Sequence, residues 1–336
     1  MKILVRGTNW IGDAVMTLPA IAKLRRLFPD ARLTLHTRDW ARGILNQSGL
    51  FDEIITPTSF PDQIGAIRKG NFDLAVIFPN SFSSALVVRL GGAKRSFGYA
   101  AERRSMLLTD PVTTPEWKDS RHEVYYYLEL VAAIEKSFFG KVTEAETLEP
   151  KLSITDEQRR NAIEILRESG IDPTLKTVAI AGGSTNSRAK RWLPESFAAL
   201  ADRLRSEMNV NVILLGSKDD EEISKRVADL ATHRPVDLTG MTDIVGAAAL
   251  LASVDVLVSN DMGLAHLAPA VGTKTLVIFG PTNAVTTRPM STRAEIISAN
   301  VECAPCMLRD CPIDHRCMTR VTVDDVYNRV AKVLSE

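Results

Sequence analysis

Eight short apolar runs, spaced by longer segments of mixed polarity, constrain this chain more than any other feature. They are KILV (2–5), ARLTLHT (31–37), FDEIIT (51–56), FDLAVIF (72–78), TVAIAGG (177–183), NVILLGS (211–217), DVLVSND (255–261) and TLVIFGP (275–281). Between the first two, apolar side chains fall at 15, 18, 21, 22, 24, 27 and 28, a helical spacing that FPDA ends. Strand, helix and strand in repetition predict parallel sheets joined by right-handed crossovers. Further helices are expected over HEVYYYLELVAAIEK, from about Thr155 to Glu168, and over the final TVDDVYNRVAKVLSE, where Val323, Val326, Val330 and Val333 share a face. A chain of 336 residues exceeds one ordinary core. The polar GKVTEAETLEPKLS tract separates two α/β series, so an amino-terminal domain over 1–153 and a second domain from 154 are expected.

Charge excludes some partners. With 41 basic and 41 acidic residues, nothing in the net charge favours nucleic acid. No apolar run approaches the roughly 20 residues that span a bilayer, and MKILVRGTNW reads as a strand and loop instead of a leader, so a cytoplasmic location is expected.

Chemistry-bearing residues gather after the strands. GTNWIGDA has two glycines in a strand-to-helix turn, without the G-x-G-x-x-G of a dinucleotide loop or the G-K-S/T of a P-loop. Asp13 there is either a helix-start acid or a general base. GGSTNSRAKRWLP combines small residues, Ser184, Thr185 and Lys190 in a loop suited to phosphate oxygens, or is a solvated basic loop. SNDMGLAHLAPAVGT places Asp261, Met262, Gly263 and His266 where a helix begins, a ready anion site, although an N-cap and a structural histidine give the same pattern. Glu222 or Glu221 follows a strand where an acid grips ribose hydroxyls. RLGGAKRSFGYAAERR sets five basic residues, Lys94, Arg95, Arg103 and Arg104 among them, against Glu102 alone, either a solvated patch or a seat for an anionic acceptor.

All four cysteines, Cys303, Cys306, Cys311 and Cys317, lie within CAPCMLRDCPIDHRC. In a reducing compartment such spacing suits a structural zinc or iron–sulfur site, or four unrelated thiols.

In order along residues 3 to about 320, GDAVMTLPAI, PNSFSSAL, AKRWLP, SNDMGLAHLAPAVG and FGPTN resemble the ADP-heptose:lipopolysaccharide heptosyltransferases of glycosyltransferase family nine. PNSFSSAL and AKRWLP look most like the branch that adds the second inner-core heptose. The resemblance implies the GT-B architecture, two Rossmann-like domains whose parallel sheets face an inter-domain cleft. The first would bind the acceptor, heptosyl-Kdo-lipid A, and 154–320 would bind ADP-heptose. The helix over 321–336 would pack back on the first domain. It also implies that Asp13 is the base of an inverting, metal-independent transfer. Lys190, Ser184 and Thr185 would meet the diphosphate, with Asp261, Met262 (through its backbone), Gly263 and His266 in the donor motif and Glu222 on the ribose. Asn80, Lys94, Arg95, Arg103 and Arg104 are the expected acceptor residues, and the enzyme would work peripherally at the cytoplasmic face of the inner membrane. A related ADP-heptose enzyme with another acceptor, such as the first inner-core heptosyltransferase, an NAD-dependent oxidoreductase and a non-catalytic nucleotide or metal binder are the alternatives.

Overall fold

The structure, a computed structural model, describes residues 1–185 and 187–336. Among these the strands form two sheets, parallel throughout. The first holds β1 (Lys2–Arg6), β2 (Arg32–His36), β3 (Glu53–Ile55), β4 (Leu74–Ile77), β5 (Arg95–Tyr99) and β6 (Asp110–Val112), in the order β3-β2-β1-β4-β5-β6. The second holds β7 (Thr177–Ala181), β8 (Asn211–Leu214), β9 (Val236–Asp237), β10 (Val256–Asn260), β11 (Lys274–Phe279) and β12 (Ala294–Ser298), in the order β12-β11-β10-β7-β8-β9. Counted from its own first strand, each sheet therefore runs 3-2-1-4-5-6, the doubly wound order. The chain divides into two compact units, Met1–Leu152 and Ser153–Glu336, each built on one sheet.

The central strands are apolar without alternation because helices cover both faces. Ile3, Leu4 and Val5 of β1 are fully buried, as are Val256, Leu257 and Val258 of β10. In the first unit the helix Ile11–Leu27 packs against the helix Glu123–Phe139. Their contact includes a buried ion pair, Lys23 to Glu135 at 2.8 Å. Glu135 also accepts from the Thr143 amide at 3.0 Å and its hydroxyl at 2.7 Å, which pins the segment after the second helix. In the second unit Trp192 is fully buried, edge-on to Phe197, and donates from Nε1 to the Val321 carbonyl at 2.9 Å.

Four strands, β5, β6, β9 and β12, lie outside the apolar runs read from the sequence. The RSFGY of the basic patch is a strand, β5, with Ser96 to Tyr99 buried; its arginine dominated the composition, while its β-prone interior decides the structure. The final helix, Val323–Ser335, packs within the second unit. Val326 and Val330 are buried in one core with Val258, Leu276 and Ile278, and Thr322 caps the helix in a reciprocal box with Asp325. Among the described residues no helix is long and apolar enough to cross a membrane.

Removing one partner of a buried pair strands the other's charge. Glu135→Gln should therefore cost about 3–5 kcal/mol in urea unfolding, and Lys23→Met with Glu135→Leu should recover most of it. A single variant as stable as the parent would show that the pair is not buried in solution.

Candidate functional site

In each sheet the order reverses beside its first strand, between β1 and β4 and between β7 and β10. Successive crossovers leave to opposite faces at such a point, so the carboxyl ends of those strands are left open to ligands. The candidate residues lie in the loops that leave these four strands.

After β1 the chain passes Gly7, whose amide donates to the His36 carbonyl at 2.9 Å, and enters the helix at Ile11. A Cβ on Gly7 would sit 3.2 Å from Leu35, so the close approach of the two strand ends favours glycine. Trp10 at the N-cap supplies no side-chain cap, and Asp13 stands in the first turn, half-buried. The Tyr127 hydroxyl donates to Asp13 Oδ1 at 3.5 Å. Burial, and then the Asp13 charge, hold the Tyr127 phenol well above its usual range, so it stays a donor.

After β4, Asn80 exchanges hydrogen bonds with the Tyr126 hydroxyl at 3.1 and 3.3 Å. Arg104, expected to meet an acceptor, is fully buried: it donates to the carbonyls of Tyr99 (2.9 Å), Ser81 (3.2 Å) and Pro79 and to Ser84 Oγ (3.1 Å). Its role is to tether the Asn80 loop. Lys94 and Arg95 are likewise engaged, Lys94 with Asp73 at 2.7 Å and Arg95 with Asp110, beneath Phe97 and Phe138. Arg103 is exposed, in a left-handed turn at φ 58°.

The residues expected at the donor site converge more closely. Lys190 Nζ lies 2.8 Å from Asp261 Oδ2, which also accepts from Thr282 Oγ1 at 2.7 Å. Asn260, passed over in the sequence, is the hub: buried at the end of β10, it donates to the Gly182 carbonyl at 2.7 Å and accepts from the Trp192 amide at 2.9 Å. It thus ties the glycine loop, the lysine segment and β10 together. Ser184 is buried with its carbonyl held by Arg191, while Thr185 is exposed. Met262 is the extended N-cap of the helix Gly263–Ala270, so the first amides of that helix have no side-chain cap. His266 is buried on its first turn.

Glu222 is exposed on the helix Glu221–Leu230. The buried acid after β8 is Asp220 instead, whose Oδ2 closes a capping box with Ser217 and whose Oδ1 has no partner among the described residues. A Cβ on Gly183 would come within 2.0 Å of that oxygen, so glycine is required there.

The four thiols are free and share a neighbourhood: burial raises the Cys317 thiol, and Cys303, Cys311 and Cys306 add to the shift. They do not converge. Among the described residues no three Cys, His, Asp or Glu side chains form a metal-binding set, and His315 Nε2 is turned to the Ala189 carbonyl at 2.6 Å. The metal expected at Cys303, Cys306, Cys311 and Cys317 therefore has no ligand set in this geometry.

A second cluster escaped the sequence altogether. Arg6 and His36 face each other at the ends of β1 and β2, with Thr8, Thr37 and Arg38 beside them. Burial and Arg38 push Arg6 down to about 10; burial, Arg6 and Arg38 push His36 down to about 3. Neither arginine stands in a recognisable motif, and their approach depends on strand register over 30 residues.

The family model for glycosyltransferase family 9 (heptosyltransferase) matches residues 64–316. Lipooligosaccharide heptosyltransferase 2 of Haemophilus ducreyi is 31% identical over 88% of this chain and 88% of its own length. Lipopolysaccharide heptosyltransferase 2 of Escherichia coli K12 is 29% identical over the same shares. In fold, the structure of E. coli ADP-heptose LPS heptosyltransferase II matches with a TM-score of 0.85 at 24% identity, over 100% of this chain and 99% of that one.

The His36 shift has a sign that can be measured. Its imidazole titrates near 6.5 when unfolded and about 3 when folded, so the unfolded chain binds the extra proton between those values. This contribution is complete above pH 6.5 and is lost as pH falls toward 3, by about 1.4 kcal/mol per pH unit. Urea unfolding across that window should show the slope, and His36→Gln should reduce it; an unchanged slope in the variant would count against a buried neutral imidazole.

Proposed function

Because this chain belongs to glycosyltransferase family 9, the heptosyltransferase family, we propose that it transfers heptose from ADP-heptose to a heptose hydroxyl of the lipopolysaccharide inner core, as the second heptose added. The observation that carries this is the set Lys190, Asp261 and the Gly263 helix start at one sheet's switch point, with Asp13 at the other's. The named activities of the H. ducreyi and E. coli relatives supply the substrate class.

The chemistry follows from where charge grows. As the bond from the anomeric carbon to the β-phosphate oxygen breaks, its electron pair leaves with ADP. Lys190, steadied by Asp261 and Thr282, supplies a fixed positive charge to that leaving group. The uncapped amides at Gly263 and the Ser184–Thr185 loop add donors. With these donors to take up the charge of the leaving group, the reading is a transfer that uses no catalytic metal. The acceptor oxygen forms the new bond while its proton passes to Asp13, and Tyr127 orients that carboxylate. A direct displacement of this kind inverts the anomeric centre. With a lipid-linked acceptor, heptosyl-Kdo-lipid A, the enzyme works peripherally at the cytoplasmic face of the inner membrane.

Mass spectrometry after incubation with ADP-heptose tests the acceptor. One heptose should be added to heptosyl-Kdo-lipid A and none to bare Kdo-lipid A; the reverse would make this the first transferase, and addition to neither would refute the assignment. Asp13→Asn should lower turnover by about 10²–10⁴-fold while ADP-heptose affinity, by calorimetry, stays within about twofold. A variant that keeps most of its turnover would remove Asp13 from the role of base.

A further inference from the structure

The cluster at the ends of β1 and β2 is built like a binding site and has no use in the transfer chemistry above. Arg6, Thr8, His36 and Thr37 are 8%, 6%, 1% and 2% exposed. Each nevertheless has a buried polar atom without a hydrogen-bond partner among the described residues: Arg6 Nε, Thr8 Oγ1, His36 Nδ1 and Thr37 Oγ1. Buried polar groups are nearly always paired, so four such atoms on neighbouring strand ends mark a place where a partner is missing. Gly7 borders the cluster, and a Cβ there would lie 3.4 Å from Thr37 Oγ1.

The donor chemistry identifies the partner. The Nε–H of a guanidinium only donates, and the hydroxyls donate as readily as they accept. Arg6 Nη1 is already spent on the Gly7 and His36 carbonyls at 2.9 and 3.3 Å, which aims the guanidinium and leaves its charge uncompensated. Among the described residues no carboxylate forms an ion pair with Arg6 or Arg38. A neutral hydroxyl would satisfy the Nε–H but leave a buried cation without a counter-charge, which is costly. An anionic oxygen group satisfies both demands, and Arg38, exposed beside the cluster, favours its approach.

We propose that Arg6, Thr8, His36 and Thr37, with Arg38 at the rim, form an anion subsite that seats a carboxylate or phosphate carried by the acceptor. It rests on the proposed transfer for the identity of the acceptor, and on the geometry alone for the anion. The subsite lies on the same β1 loop that leads to Asp13, so an anion held there anchors the acceptor at a fixed remove from the base. It supplies a charge contact that Lys94, Arg95 and Arg104 do not offer, since these three are committed elsewhere.

Two measurements test this. In transfer kinetics, Arg6→Met should raise the acceptor KM about tenfold or more with the ADP-heptose KM within about twofold, and Arg6→Lys should recover part of the loss. Acceptors with the Kdo carboxylate free or methyl-esterified, and with the inner heptose phosphorylated or not, identify the source: the group that Arg6 seats is the one whose removal no longer matters in the variant. A folded Arg6→Met protein with an unchanged acceptor KM would overturn the proposal. Should that variant fail to fold, Arg38→Gln at the surface should still raise the acceptor KM by about threefold.

The second measurement needs no turnover. Inorganic phosphate and acetate are titrated into the wild-type protein while the His36 ring resonances are followed by NMR. A saturable shift, absent in Arg6→Met or, if needed, weakened in Arg38→Gln, supports the subsite even if every lipid acceptor fails. No response to either anion overturns it and leaves the cluster a pocket for buried water.

Discussion

A parallel strand can be joined to the next only by a crossover, and crossovers of this kind turn in one hand. In both sheets the chain winds outward from the first strand, returns, and winds the other way, so the helices diverge at β1/β4 and at β7/β10. At such a point a doubly wound sheet opens a crevice at the carboxyl ends of its strands. Asp13 and Asn80 leave β1 and β4; the glycine loop and Asp261 leave β7 and β10. The catalytic arrangement proposed here is a consequence of strand order before it is one of side-chain chemistry.

Within that frame, charge compensation separates residues that hold the fold from those that hold ligands. Arg104 is buried among carbonyls and Lys23 is buried against Glu135; both are satisfied, and both fasten segments together. Lys190 is different, since it is partly exposed and its partner Asp261 stands beside a helix start that no side chain caps. A lysine so held is positioned in advance and needs little reorganisation when a diphosphate arrives. Arg6 is buried with no carboxylate paired to it among the described residues, a condition that a folded protein does not tolerate without a reason.

Asn260 shows how the donor side acquires its rigidity. A single carboxamide at the end of β10 joins the Gly182 carbonyl to the Trp192 amide, residues from two different segments. Nothing in SNDMGL marks it above its neighbour Asp261. Its importance appears only when the partners, 78 and 68 positions away, are brought alongside.

The sequence by itself determined eight of the twelve strands found among the described residues, the parallel kind of sheet they form and the loops in which Asp13, Lys190 and Asp261 would stand, because strand propensity, helical spacing and the small residues at strand ends are all local properties. It could not determine which charges were free. RSFGY read as part of a basic surface, yet it is a strand whose neighbours bind its arginine to Asp110 and leave Arg104 to the Pro79 loop. The last helix showed its apolar face but not the surface it covers, which is the second unit's own core. Nor did Arg6 and His36 announce one another across 30 residues of chain. Long-range pairing alone decides whether a cation is neutralised, buried or exposed, and so only the tertiary structure distinguished a scaffold arginine from a binding one.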